Sequence, residues 1–307
     1  MSDTFDEFSF VADQARAAGI DAPPPAHERL TIELADGRRL SALRWGTERP
    51  RVTLLHGAGL NAHTWDTTIL ALGIPALAID LPGHGDSTWR DDADYRPRTL
   101  APDIAVALEA WTDAPQVLVG QSLGGIVAAA VAAEHPALVR SLVLVDVTPG
   151  IDPSAGPAEL REFFAGPTDF ASRDELVDRA MAFGLGGDRP ATERGVYLNT
   201  RVRPDGRVEW KHHLARLAAT ALAAPPATGE AASNSNSVLG DSGWDDLAAI
   251  AAPIALIRGT HGYVSPDDLR EFEARVPAAS VVEVESGHNV QEYIPVALAA
   301  LVRERVE

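Results

Sequence analysis

A serine between closely spaced glycines is the residue of this chain best suited to nucleophilic chemistry. Ser122 lies in the segment 120–124 (GQSLG), which follows the apolar run 116–119 and leads into an apolar, helix-length segment. A sharp turn from a strand into a helix strains the backbone at the serine, so the positions two before and two after it must be small. The helix that follows directs its N-terminus, which favours negative charge, at the same place. The pattern predicts that Ser122 is the nucleophile of an acyl-transfer reaction.

Acyl transfer also needs backbone N–H groups that bind the developing oxyanion. In a strand–turn–helix site of this kind one donor is the residue after the nucleophile, here Leu123, and the other lies in a loop after an earlier strand. The loop 56–59 (HGAG) follows the apolar run 52–55 and fits the second position. We expect Ala58 to be this donor, with its two flanking glycines as alternatives. The histidine of the loop is expected to support it by hydrogen bonds and not to act as a base.

The composition excludes several other classes of function. With 26 Lys and Arg against 44 Asp and Glu, the formal net charge is −18, which disfavours binding to nucleic acid or to an anionic membrane surface. The chain contains no cysteine, so disulfides, zinc–thiolate sites and a cysteine nucleophile are excluded. No phosphate-binding or dinucleotide-binding glycine motif occurs, and His63 and Asp66 are explained by a helix start, so we expect neither a cofactor nor a metal. The acidic N-terminus predicts a cytoplasmic protein with no secretory signal.

Short apolar runs that end in Gly or Asp alternate with helix-length segments in the first half of the chain. The strand-like runs are 52–55, 75–79, 116–119 and 138–145, and the helix-length segments are 64–72, 97–111 and 123–134. This alternation predicts an α/β fold with a mostly parallel, doubly wound sheet. Two runs around the turn signal Asp36-Gly37, 29–34 and 39–45, predict antiparallel edge strands.

The alternation stops near residue 148 and returns at residue 244. We expect 1–148 and 244–307 to form the core, and 149–243 to form a mainly helical cap or lid over the carboxyl edge of the sheet. Within the cap, the pattern predicts helical pieces and one short strand pair, 199–202 with 207–210. The stretch 218–243 is rich in Ala, Pro, Gly, Ser and Asn, which predicts weak order.

Several motifs together resemble those of α/β-hydrolase-fold proteins, in the serine esterase and lipase-like branch. These are the segments 56–59 (HGAG), 80–87 (DLPGHGDS), 120–125 (GQSLGG) and 287–288 (GH). The resemblance runs from about Glu28 to the end of the chain. It implies an eight-stranded sheet, an inserted cap, and a Ser–acid–His triad in that chain order. A serine at the turn argues against the related dehalogenase and epoxide-hydrolase branches, which carry aspartate there.

The general base is expected to be His288. Of the nine histidines, only this one follows the last strand-like run, 280–285, where the resemblance places the triad histidine. Glu292 and Pro295 follow it, as in many members. Imidazole suits the task because it can take up and release a proton near neutral pH.

The acid of the triad departs from the commonest pattern of the family. Many members carry it after the seventh strand as G-x-x-D-x-x-V, but this chain reads GTHGYV at 259–264, with Gly262 in place of the aspartate. Some members carry the acid after strand six instead, where this chain has Asp146, and we expect Asp146 to be the acid. Asp267 and Asp268 are rivals, although they fit better as the start of a helix.

These residues predict a serine hydrolase that cleaves a small carboxylic ester or lactone through an acyl-enzyme. Two alternatives remain open. The same triad could hydrolyse a carbon–carbon bond or catalyse perhydrolysis, and the same fold can serve as a non-catalytic ligand receptor. The sequence is also compatible with a homodimer, and it does not specify the substrate.

Overall fold

The arrangement of the strands follows the predicted pattern closely. The computed structural model describes residues 6–151, 162–163, 166–184, 187–223 and 243–306. The strands of these ranges are β1 (His27–Glu33), β2 (Arg39–Trp45), β3 (Val52–Leu55), β4 (Ala76–Asp80), β5 (Gln116–Gln121), β6 (Val139–Val145), β7 (Asp169–Phe170), β8 (Thr200–Val202), β9 (Val208–Trp210), β10 (Ile254–His261) and β11 (Ser280–Gly287).

The helices include three at the predicted helix-length segments of the first half of the chain and two, over 189–199 and 213–223, that the sequence did not predict. They are α1 (Val11–Ala17), α2 (Asp66–Leu72), α3 (Pro97–Trp111), α4 (Leu123–Glu134), α5 (Arg173–Ala182), α6 (Arg189–Asn199), α7 (His213–Ala223), α8 (Gly243–Ala249), α9 (Pro266–Arg275), α10 (Val290–Tyr293) and α11 (Pro295–Arg303). The sequence suggests one helix over 290–306, but the structure has two. Pro295 starts the second, since proline lacks an N–H and fits the first turn of a helix.

One sheet of eight strands has the order β1-β2-β4-β3-β5-β6-β10-β11. The pairs β1/β2 and β2/β4 are antiparallel, and the five remaining pairs are parallel. This confirms the predicted α/β-hydrolase fold, including its antiparallel edge strands. Because parallel strands end at the same edge of a sheet, the loops after β3, β5, β6, β10 and β11 meet there. The residues that the sequence assigned to the site lie in the loops after β3, β5, β6 and β11 and, for Leu123, at the first position of α4.

The central strands are buried because helices cover both faces of the sheet. Every residue of β3, β4 and β5 is buried. Apolar side chains of α3 and α4 fill one face, and those of α2 and α11 fill the other. Helix α4 is apolar around most of its circumference, with ten consecutive buried residues, 123–132. Such a helix is stable only inside a core, which fixes the position of the serine turn at its start.

A second, three-stranded antiparallel sheet, β7-β9-β8, lies within the interval predicted to be a cap. The pair β8/β9 lies at the predicted strand pair, and Phe170, Leu176 and Trp210 belong to a separate apolar cluster of this region. The division into core and cap stays a prediction. Part of the interval, including 224–242 of the stretch expected to be weakly ordered, lies outside the described residues, whereas 218–223 belong to α7. Among the helices described, none has the length and apolar composition needed to cross a bilayer.

Candidate active site

Ser122 occupies a strained turn between β5 and α4. Its backbone angles, φ 52° and ψ −122°, lie in a region that residues other than glycine rarely adopt. A Cβ atom at Gly120 would lie 2.3 Å from the carbonyl oxygen of Gly124, and one at Gly124 would lie 2.3 Å from that of Leu55. Both positions therefore exclude any side chain, as the sequence predicts. The turn places Ser122 at the carboxyl edge of the sheet.

His288 and Asp146 come together across that edge. Asp146 follows β6 and His288 follows β11, and Nδ1 of His288 lies 2.7 Å from Oδ2 of Asp146. The Asp146 side chain is fully buried, while the His288 side chain is 15% exposed. Among the described residues, no hydrogen bond engages Nε2 of His288. The imidazole is thus held at one nitrogen by a carboxylate, and its other nitrogen is available.

The carboxylate of Asp146 receives two further hydrogen bonds. The backbone N–H of Gly259 donates to Oδ1 at 3.0 Å, and that of Tyr263 donates to Oδ2 at 2.8 Å. A buried carboxylate is costly unless donors replace the lost water. Here the end of β10 provides one of them, the loop after β10 provides the second, and the imidazole provides the third.

Gly262 leaves open the space that the Asp146 carboxylate occupies. A Cβ atom at Gly262 would lie 2.1 Å from Oδ2 and 2.3 Å from Oδ1 of Asp146. The carboxylate therefore fills the space that any side chain at residue 262 would need. An aspartate at 262 and the observed position of Asp146 exclude each other.

The rival acids lie at the start of α9, away from this contact. Ser265 caps the helix, and its side chain exchanges hydrogen bonds with Asp268 in a capping box. Asp267 is exposed and pairs with Arg270. These two carboxylates have the helix-start role that the sequence favours for them.

The loop after β3 lies directly against the serine turn. A Cβ atom at Gly57 would lie 3.2 Å from Cβ of Ser122. Ala58 is exposed at the tip of the loop. Leu123 is the first residue of α4, so its N–H has no acceptor within the helix. The two predicted oxyanion donors therefore belong to two segments that border on Ser122.

His56 is fully buried and stabilises the loop after β3 through hydrogen bonds. Its Nε2 accepts a hydrogen bond from the Leu81 N–H at 3.0 Å, so its Nδ1 is the protonated nitrogen and donates to the Gly57 carbonyl at 2.8 Å. Burial lowers the pKa of His56, which keeps it neutral. The ring joins the loop after β3 to the segment after β4, and both of its nitrogens are engaged in these hydrogen bonds.

A side chain that sequence reasoning overlooked, Gln121, lies between two of the loops. Its Nε2 donates to the His288 carbonyl at 3.3 Å and to Oδ1 of Asn289 at 3.4 Å. Its Oε1 lies where a Cβ of Gly57 would be, at 2.1 Å from that position. Gln121 is the variable residue before the nucleophile, and nothing in the motif itself predicts these contacts.

A network of charged groups stabilises the loop after β3. Asp80, at the end of β4, accepts hydrogen bonds from the Ala62 N–H at 2.8 Å and from Arg29 at 2.7 Å. Burial alone would raise the pKa of Asp80, but the Arg29 guanidinium and the backbone hydrogen bonds from Ala62 and Asp86 together outweigh burial and lower the pKa to about 2. Arg29 also pairs with Glu7 of the N-terminal segment. Among the described residues, no group of three or more His, Cys, Asp or Glu side chains is arranged to hold a metal.

The sheet order and the strained serine turn define the class of this protein. The model of the alpha/beta hydrolase family matches residues 54–301. The chain belongs to this family and is a hydrolase, which confirms the family that the motifs indicated.

Known proteins are similar to this chain over most of its length. The chain is 38% identical to Esterase Rv0045c of Mycobacterium tuberculosis, over 97% of this chain and 95% of that protein. A solved structure of the M. tuberculosis esterase Rv0045c superposes with a TM-score of 0.80 at 37% identity and covers 98% of each chain. Lipase LipV of M. tuberculosis is 26% identical over 87% of this chain and 97% of that protein.

Proposed function

We propose that this hydrolase is a serine esterase that cleaves a carboxylic ester or lactone with Ser122, His288 and Asp146. The observation that carries the proposal is the 2.7 Å contact between His288 and Asp146 at the edge of the sheet where the strained Ser122 turn lies. The esterase and lipase names of the relatives support the substrate class.

Acylation begins when Oγ of Ser122 attacks the ester carbonyl and Nε2 of His288 takes the hydroxyl proton. Asp146 holds the proton of Nδ1, which keeps Nε2 as the acceptor and stabilises the imidazolium. The N–H groups of Leu123 and Ala58 bind the oxyanion. When the tetrahedral intermediate collapses, the imidazolium gives its proton to the leaving alkoxide, and an acyl-serine remains.

Deacylation repeats these steps with water in place of the serine. His288 removes one proton from a water molecule, whose oxygen attacks the acyl carbon. Collapse of the second tetrahedral intermediate releases the carboxylic acid and returns the proton to Ser122. No cofactor enters either half-reaction.

The test is turnover of a short-chain p-nitrophenyl ester by the wild-type chain and by Ser122→Ala. We expect the variant to lose on the order of 10⁶ in kcat with an unchanged fold, because the nucleophile is removed. Ser280→Ala, at the opposite end of β11, is the matched control and should retain full activity. Equal turnover by wild type and Ser122→Ala would refute the proposal, as would a wild-type chain that binds esters without hydrolysing them.

A further inference from the structure

Tyr263 contacts both members of the His288–Asp146 pair. Its ring lies face to face with the imidazole of His288, with 3.7 Å between ring centroids and 11° between ring planes. Its backbone N–H donates to Oδ2 of Asp146 at 2.8 Å. The mechanism above gives Tyr263 no part as nucleophile, base or oxyanion donor.

The backbone holds Tyr263 in this place through the pairing of β10 with β11. His261 pairs with Gly287 in the parallel register, so the chain segments that lead to Tyr263 and His288 leave adjacent strand ends. A Cβ atom at Gly259 would lie 2.6 Å from the Gly287 carbonyl oxygen, which shows how closely the two strand ends approach. Gly262 has no side chain and leaves room for the Asp146 carboxylate. The next residue, Tyr263, faces the imidazole of His288.

The hydrogen bond to Asp146 restrains only one edge of the imidazole. Rotation of the ring about its Cβ–Cγ bond would carry Nδ1 away from the carboxylate and move Nε2 with it. A second ring packed flat on the imidazole opposes that rotation. The face of a phenol ring is also electron-rich, and it therefore attracts the imidazolium that forms during each half-reaction.

We propose that Tyr263 is a positioning residue, whose ring fixes the plane of His288 while its N–H fixes the carboxylate of Asp146. This inference rests on the proposed function, because it assigns Tyr263 a task in the proton transfers of His288. Small errors in the position of a catalytic group are costly: a misplacement of about 1 Å can reduce a rate about 100-fold. The ring should therefore affect kcat much more than KM.

The experiment compares Tyr263→Phe with Tyr263→Leu. Both variants keep the backbone N–H to Asp146, so they differ only in the ring. We expect Tyr263→Phe to retain kcat within about threefold, and Tyr263→Leu to lose about 10- to 100-fold in kcat with KM within about twofold. Tyr293→Leu is the matched control, because Tyr293 lies beside Gly287 but is 70% exposed. It should leave kcat unchanged.

A Tyr263→Leu variant with kcat within threefold of wild type would overturn the inference, and so would a change confined to KM. Should Tyr263→Leu not fold, Tyr263→Met fills a similar volume with a flexible side chain and makes the same comparison. Ser122→Ala is measured in the same series. If it is inactive while Tyr263→Leu is unimpaired, only the role of Tyr263 fails; if it is as active as wild type, the proposed function itself fails.

Discussion

In the part of the chain that the structure describes, two histidine–aspartate pairs have similar distances between Nδ1 and the carboxylate. Nδ1 of His288 lies 2.7 Å from Asp146, and Nδ1 of His63 lies 2.9 Å from Asp66. The two pairs differ at the second ring nitrogen. Nε2 of His63 lies 3.2 Å from the Glu7 carboxylate, whereas no described residue forms a hydrogen bond with Nε2 of His288. Only the His288–Asp146 pair has a nitrogen open to take a proton from a nucleophile.

The charges around His63 suit it to a structural role. Burial would lower the pKa of His63, but the Asp66 carboxylate, helped by Glu7, outweighs burial and raises the pKa to about 9. The ring is then a cation at neutral pH and cannot act as a base. It joins the N-terminal segment, through Glu7, to the 3₁₀ turn Ala62–Trp65 and to α2. A His–Asp pair therefore indicates a base only where the second nitrogen is open.

Among variants of the two pairs, the largest expected effect comes from replacing Asp146, the acid that contacts His288. Asp146→Asn should lower kcat by at least about 10², because an amide no longer stabilises the imidazolium or fixes the tautomer. Asp66→Asn should leave kcat within a few-fold and act only on stability. Steady-state kinetics of the two variants under identical conditions make the comparison.

Two further variants serve as controls for the placement of the acid. Asp267→Asn and Asp268→Asn should each cost about 0.3–1 kcal/mol of stability and leave kcat within a few-fold, because these carboxylates belong to the start of α9. A large loss of kcat at either of them, with Asp146→Asn near wild type, would place the acid in the loop after β10 and contradict our assignment.

Gly262→Ala should have the next largest effect. Its methyl group would meet both carboxylate oxygens of Asp146, so the carboxylate or the loop must move. We expect a loss of about 10-fold or more in kcat and about 1–3 kcal/mol in the free energy of unfolding. Gly195→Ala, in α6 with nothing within 4 Å of the added methyl, tests whether any glycine replacement has the same effect on kcat. Equal kcat values for the two variants would show that Gly262 does not make room for the acid.

The smallest expected effect is the pH dependence of the stability that the His63–Asp66 pair provides. The folded-state pKa of His63, about 9, lies above its ordinary value of 6.5. Its stabilising contribution is therefore complete below about pH 6.5 and is lost as the pH rises through about 9. Denaturant unfolding at several pH values should show this decline in the wild type and a smaller one in His63→Gln. Parallel curves for the two proteins would mean that His63 is not held as a cation.

The sequence predicted the sheet and the serine turn because both depend on local patterns. Apolar runs that end in Gly or Asp define β3 to β6, and the glycines around Ser122 meet a steric demand of the turn itself. The proposal that Asp146 is the acid also came from the sequence, because Gly262 stands where many members of the family carry the aspartate.

Other features depend on which loops meet at the edge of the sheet. The contact of Tyr263 with His288 needs the β10/β11 register, and the contact of Gln121 with His288 needs the loop after β11 to reach across β10 and β6 to the end of β5. His63 and Asp66 are three residues apart in sequence, but Glu7 and Arg29 complete their network from distant segments. No spacing rule connects those residues before the chain is folded.

The most direct test of our central claim is the rate at which a fluorophosphonate modifies Ser122, measured by peptide mass spectrometry. The probe reacts with a serine that a base has activated, so the rate reports on the nucleophile and its histidine together. We predict an adduct on Ser122 that forms rapidly in the wild type, at a similar rate in His63→Gln, and far more slowly in His288→Ala. An adduct on another residue, or equal rates in the wild type and in His288→Ala, would contradict the account.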